Sequence, residues 1–188
     1  MTHAHIAGSI HADVAKTGPQ WLTLPENLNQ LRAELWPAGT ERDGLGRIVI
    51  GGVPLTQVAA EQGTPAYVID EQDFRARARA FRDHFAGWRV YYAGKALLTR
   101  AVARWVAEDG LHLDVTTMGE MRIALSAGMP AERLGFHGNN KSAEEIRFAL
   151  EQGVGRIIVD SFHEIDRIES ACRELGRKAH ALVRVTTG

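Results

Sequence analysis

The chain has almost no cysteine: Cys172 is the only one in 188 residues. That excludes a disulfide framework and a cysteine-rich metal site. Cys172 itself falls in a helical pattern, where a lone thiol reads as a small core residue. Long apolar runs are missing too, and no stretch approaches the length of a membrane span. Met1–Lys16 has neither the charged head nor the apolar middle of a secretory signal. Nor does one charge sign dominate, since 22 Lys and Arg face 23 Asp and Glu, for a net charge of -1. A near-neutral balance gives nucleic acid or an anionic membrane surface little to bind. The expected setting is the reducing cytoplasm, and 45% apolar with 24% charged residues fits an ordinary globular protein.

Met1 to about Gly46 also lacks clear periodicity. Turn formers are dense there, among them Gly8, Gly18, Pro19, Pro25, Pro37, Gly39, Gly44 and Gly46. His3, His5 and His11 read as scattered histidines of a terminal tail, not as a metal site. Gly44-Leu-Gly46 is no dinucleotide fingerprint, because the third glycine is missing. Arg47–Ile50 predicts a short strand and Gly51-Gly52 its turn. Pro54–Gln62 predicts a helix with proline in the first turn and Gly63 as its stop.

From Thr64 onward the character changes. Runs at Pro65–Ile69, Arg89–Ala93, Leu111–Val115, Arg133–Phe136, Arg156–Val159 and Ala179–Val185 predict six strands about 23 residues apart. Between them lie amphipathic helical patterns such as Phe74, Ala78, Phe81 and Phe85, or Ile165, Ile168, Cys172 and Leu175. Four of these helices open with a capping residue followed three positions later by an acid: Asp70/Asp73, Thr117/Glu120, Ser142/Glu145 and Ser161/Glu164. The capping oxygen takes an orphan amide and the acid opposes the positive end of the helix dipole.

Repeated βα units build either an open doubly wound sheet or a closed barrel. An open dinucleotide fold carries Gly-x-Gly-x-x-Gly after its first strand. Here that position is Asp70-Glu-Gln-Asp73, which repels a phosphate, so the even period predicts the barrel. A whole barrel needs eight strands and about 250 residues. Residues 64–188 are therefore expected to be the first part of a β/α barrel within the amino-terminal part of a longer protein.

In a barrel the strand ends share one rim, where catalysis takes place. They bring Lys95, Asp114, His137, Asn139, Asp160 and Arg184 together. Lys95 follows the apolar run Val90–Ala93, which suits a strand buried on both faces. In a partly dry rim its amine can attack a carbonyl and hold it as a Schiff base; the competing reading is a solvated loop lysine. Lys141 is expected to be solvated. Asp114 and Asp160 have a second reading as partners of loop amides, His137 as an ordinary loop histidine, and Arg184 as a surface residue.

Tyr92-Ala-Gly-Lys-Ala96 resembles the Tyr-Ala-x-Lys-Ala/Cys motif of the fold-type III pyridoxal-phosphate enzymes. His137-Gly-Asn-Asn-Lys-Ser142 and Leu113-Asp-Val-Thr-Thr-Met-Gly-Glu120 are similar to segments of the diaminopimelate decarboxylase family in particular. Gly63-Thr-Pro-Ala-Tyr-Val-Ile-Asp70 looks like its actinobacterial form. One position departs: Met118 stands where that family usually has a small residue, mostly glycine.

The resemblance implies an incomplete (β/α)8 barrel of the alanine racemase-like type. Residues 1–63 would pack with a C-terminal β-domain. It implies pyridoxal 5'-phosphate as cofactor, held by Lys95 and surrounded by Ala93, Asp114, His137, Asn139 and Arg184, with no metal. It also implies meso-diaminopimelate as substrate, L-lysine and carbon dioxide as products, and a homodimer when full length. Another fold-type III decarboxylase or racemase, or a non-catalytic pyridoxal-phosphate-binding paralogue, is the alternative.

Overall fold

The computed structural model describes residue 27 and residues 29–187; His3, His5, His11 and the turn formers before residue 27 lie outside them. The chain divides into two compact units between Ala66 and Tyr67. In the first, β1 (Glu41–Arg42), β2 (Ile48–Ile50) and β3 (Val53–Pro54) form an antiparallel sheet in that order. Gly44-Leu-Gly46 is the β1–β2 turn. The Asp43 carboxylate accepts from the backbone amides of Leu45 and Arg47, each at 2.9 Å. Helix α1 (Leu55–Gln62) follows with Pro54 as its N-cap, and the Gly63 amide closes it on Ala59.

The second unit alternates helices with strands. Helix α2 (Glu71–His84) precedes β4 (Tyr91–Ala93). Then come α3 (Arg100–Glu108), β5 (His112–Val115), α4 (Met118–Ser126), β6 (Leu134–Phe136), α5 (Ala143–Gln152), β7 (Arg156–Val159), α6 (Phe162–Leu175) and β8 (Ala181–Val183). The five strands are parallel, and their order in the sheet is their order in the sequence. Consecutive helices touch each other, which requires all of them to lie on one side of the sheet. That arrangement is the one-sided winding of an incomplete β/α barrel, since a doubly wound sheet puts helices on both sides.

All four predicted caps form. The side chains of Asp70, Thr117, Ser142 and Ser161 each accept from the amide three residues on. Only Ser142/Glu145 closes as a full reciprocal box. Glu120 and Glu164 instead reach one residue further back, to the amides of Thr116 and Asp160. Between sheet and helices lies one core of Leu113, Val115, Met121, Leu134, Phe136 and Ile146, all at 0% exposure.

Two strand expectations are corrected. Pro65–Ile69 joins no ladder, so five parallel strands form and not six. Tyr67, Val68 and Ile69 are exposed, so no burial offsets the cost of fixing that segment in a sheet. The strand before Lys95 is only half-buried along its length, because helices cover one of its faces alone.

Candidate active site

Strand β4 delivers the chain into a 3₁₀ turn, Gly94–Ala96. Below the turn, the Tyr92 hydroxyl donates to the Leu97 carbonyl at 2.9 Å. The Tyr92 ring meets Phe74 edge-on, with centroids 5.3 Å apart. Gly94 has no room for a side chain, because a Cβ there would lie 2.8 Å from the Asp114 carbonyl oxygen. The turn carrying Lys95 is thereby pressed against β5. Lys95 itself is exposed and makes no hydrogen bond or ion pair among the described residues, so the partly dry surroundings expected for it are not formed by them.

Asp114 sits beside this turn, in register with Ala93 on one side and Gly135 on the other. Gly135 leaves the space that the Tyr91 ring and the Asp114 carboxylate occupy, 3.1 and 3.5 Å from where a Cβ would stand. Asp114 is half-buried, and its carboxylate accepts no hydrogen bond among the described residues. Burial pushes its pKa up; His137 and Lys95 pull it back, and Glu120 raises it. Those influences identify Lys95, Asp114 and His137 as one electrostatic neighbourhood.

His137 begins the loop after β6, its amide donating to Val115 at 2.8 Å. Asn139, further along this loop, is exposed and makes no hydrogen bond among the described residues. One strand over, Arg184 pairs with Asp160 at 3.3 Å. Asp160 is thus tied to a guanidinium, not to loop amides. The rim brings Ala93, Lys95, Asp114 and His137 together and holds Asp160 with Arg184, while Asn139 points to no partner.

Lys141 contradicts its reading as a solvated residue, with only 2% of its surface exposed. Its ammonium has found acceptors on two neighbouring βα units, and Glu164 is one of them. The sequence reading missed this pair. The available signal was an acid one repeat later, in the first turn of the next helix. Met118 packs against the core, and its amide donates to Glu145 of the next helix at 3.1 Å. The bulkier side chain is accommodated, partly buried, against the core.

At the opposite ends of the strands lies a cleft of about 570 Å³ whose lining includes Arg89, Arg133, Arg156, Lys178, His112 and His180. The His112 ring lies tilted against that of Tyr91, centroids 4.7 Å apart, and its Nδ1 is buried without a hydrogen-bond partner among the described residues. Burial, then the charges of Arg89 and Arg133, push its pKa down.

Residues 71–188 match the family described as pyridoxal-dependent decarboxylase, pyridoxal binding domain. The chain belongs to this family. The family's cofactor is pyridoxal phosphate, and the rim fits such a group: Lys95 offers an unpartnered amine and Asp114 a half-buried carboxylate without a donor. The chain is 49% identical over 162 residues to the diaminopimelate decarboxylase of Mycobacterium tuberculosis (strain ATCC 25618 / H37Rv), covering 86% of this chain and 36% of that protein. It is 43% identical over 189 residues to the enzyme of Mycobacterium leprae (strain TN), covering 99% and 40%. In structure it is similar to the diaminopimelate decarboxylase of M. jannaschii solved in co-complex with L-lysine, with a TM-score of 0.70 and 29% identity over 79% of this chain and 36% of that one. The chain thus spans well under half the length of these relatives.

Proposed function

We propose that the full-length protein removes a carboxylate from meso-2,6-diaminopimelate, giving L-lysine and carbon dioxide. The observation that carries this reading is the 49% identity to a diaminopimelate decarboxylase over 162 residues. Lys95 holds the cofactor through its side-chain nitrogen, and the unpartnered amine at the end of β4 supports that role. Ala93 and Gly94 bring the turn close to β5, so that Asp114 would help to hold the same cofactor. Asp114 offers a carboxylate whose burial favours its protonated form more than in water. His137 lies in the same neighbourhood, and Asn139 and Arg184 complete the set of rim residues proposed to contact the cofactor. Pyridoxal phosphate, when bound, supplies a ring that takes up the electron pair left as the carboxylate departs.

A homodimer in the cytoplasm belongs to the same proposal; among the described residues no helix is long and apolar enough to cross a membrane. Borohydride treatment of the full-length protein with pyridoxal phosphate, followed by peptide mapping, is expected to place the pyridoxyl group on Lys95. A label on Lys141 or another lysine overturns the assignment. Cofactor binding without lysine formation from meso-diaminopimelate overturns the substrate.

A further inference from the structure

Lys141 is the only cation that is buried among the described residues. Its Nζ donates to the carbonyls of Gly138 and Ile158, each at 2.6 Å, and to Glu164 Oε1 at 2.9 Å. An ammonium has three donors, and all three are committed here. The Phe136 ring lies close by, its centroid 5.4 Å from Nζ. The three acceptors sit on three different pieces of the rim: the loop after β6, the carboxyl end of β7 and the first turn of α6. Glu164 extends the connection, because its Oε2 accepts from the Asp160 amide at 2.8 Å. Arg167 holds the other end of the lysine, donating to the Lys141 carbonyl at 2.9 Å.

Taking a lysine and a glutamate out of water is costly, and an apolar pair of similar volume is often as stable or more so. Stability alone therefore gives little reason for this pair beneath a rim. We infer that Lys141 and Glu164 form a buried strut that fixes two adjacent rim loops against each other, and so act as positioning residues for the site. One loop carries His137 and Asn139; the other carries Asp160, which holds Arg184. The inference rests on the decarboxylase reading. Arginine cannot substitute, because its planar fork does not match three acceptors converging on one nitrogen. Methionine matches the length but leaves two carbonyls and a carboxylate unpaired.

The test uses the full-length protein and three variants: Lys141→Met, Glu164→Gln, and the double variant Lys141→Met/Glu164→Leu. Glu164→Gln keeps the size and one acceptor, so it stays folded. The double variant also removes the buried carboxylate that Lys141→Met leaves unpaired, and so recovers part of the thermal stability lost there. Amide hydrogen exchange is read in residues 137–142 and 160–164, pyridoxal phosphate affinity by absorbance titration, and kcat and KM with meso-diaminopimelate. The expected result is faster exchange in both loops together, by about tenfold in Lys141→Met and in the double variant, and less in Glu164→Gln. Cofactor affinity falls about tenfold with it, and kcat falls more than KM changes, since a small displacement is enough. If the double variant regains loop protection and cofactor affinity along with its thermal midpoint, the pair is merely structural and the inference is overturned. Exchange that changes only in residues 137–142 overturns it as well. Should the unaltered protein bind no pyridoxal phosphate and make no lysine, the decarboxylase reading fails, while the exchange data still decide the strut.

Discussion

The two faces of the parallel sheet are made by alternate residues of the same strands, yet they differ in almost every physical respect. Leu113 and Val115 point to the helices and are fully buried, while His112 and Asp114 between them point the other way and stay half-exposed. Strand β7 alternates in the same manner, with Ile157 and Val159 buried and Arg156 and Ile158 less so. A parallel sheet covered on both faces reads as a continuous apolar run. Here the helix face supplies the burial that holds the unit together, and the other face carries titratable groups that make few contacts. Stability and chemistry are separated by one residue in the chain.

The sharpest way to break this comparison is to cut into each face at adjacent positions. Leu113→Ala is expected to cost about 3 kcal/mol, because the side chain is fully enclosed and the space it leaves cannot collapse. Urea unfolding of the cofactor-free full-length protein measures it. A loss below about 1 kcal/mol would mean that the helix face is loosely packed.

A smaller effect is expected at Asp109, where α3 ends. Its carboxylate takes a bidentate pair from Arg75, both bonds at 2.9 Å, and a third from Arg79 at 3.2 Å. The hydrogen bonds from Arg75 hold its pKa below the usual carboxylate value, against the opposing effect of burial. A lowered folded pKa means stability that is present above the unfolded value and lost as pH falls through the folded one. Asp109→Asn should therefore cost about 2 kcal/mol near neutral pH. Unfolding followed down to acidic pH should show the gap closing; a gap that stays constant with pH would contradict the linkage.

The smallest effect has the opposite sign. Burial raises the pKa of Asp114, so its ionised form opposes folding once the pH exceeds that value. In the cofactor-free protein, Asp114→Asn is expected to add less than about 1 kcal/mol near neutral pH, because the side chain is only partly shielded from water. That gain should vanish below the unfolded pKa, where both states bind the proton. A loss of stability in this variant would place Asp114 with the structural face, and the contrast with Leu113 would fail.

Much of this arrangement was legible in the sequence, because caps and periodicity are local. The four capping residues fall where the pattern predicts them. What was not legible depends on partners far along the chain. Pro65–Ile69 has the composition of a strand, but composition does not tell whether a neighbour pairs with it. Lys141 reads as a loop lysine because two of its three acceptors become visible only once β7 and α6 are in place. Asp114 and Asp160 look alike at two strand ends, yet one stays without a donor and the other takes Arg184. The close approach of Gly94 to Asp114 could not be foreseen from a motif that tolerates several residues at that position.

The strand order has a consequence for how the chain is made. Because β4 to β8 pair in the order in which they are written, each new strand finds its neighbour already synthesised. No strand waits for a later one to be inserted between it and its predecessor. At about 5–20 residues per second, a βα repeat leaves the ribosome every few seconds. The Glu145 carboxylate arrives one repeat after Met118, whose amide it accepts from, and Glu164 one repeat after Lys141. Each arriving helix thus fastens the unit before it, and the sheet can grow from its amino-terminal edge during translation.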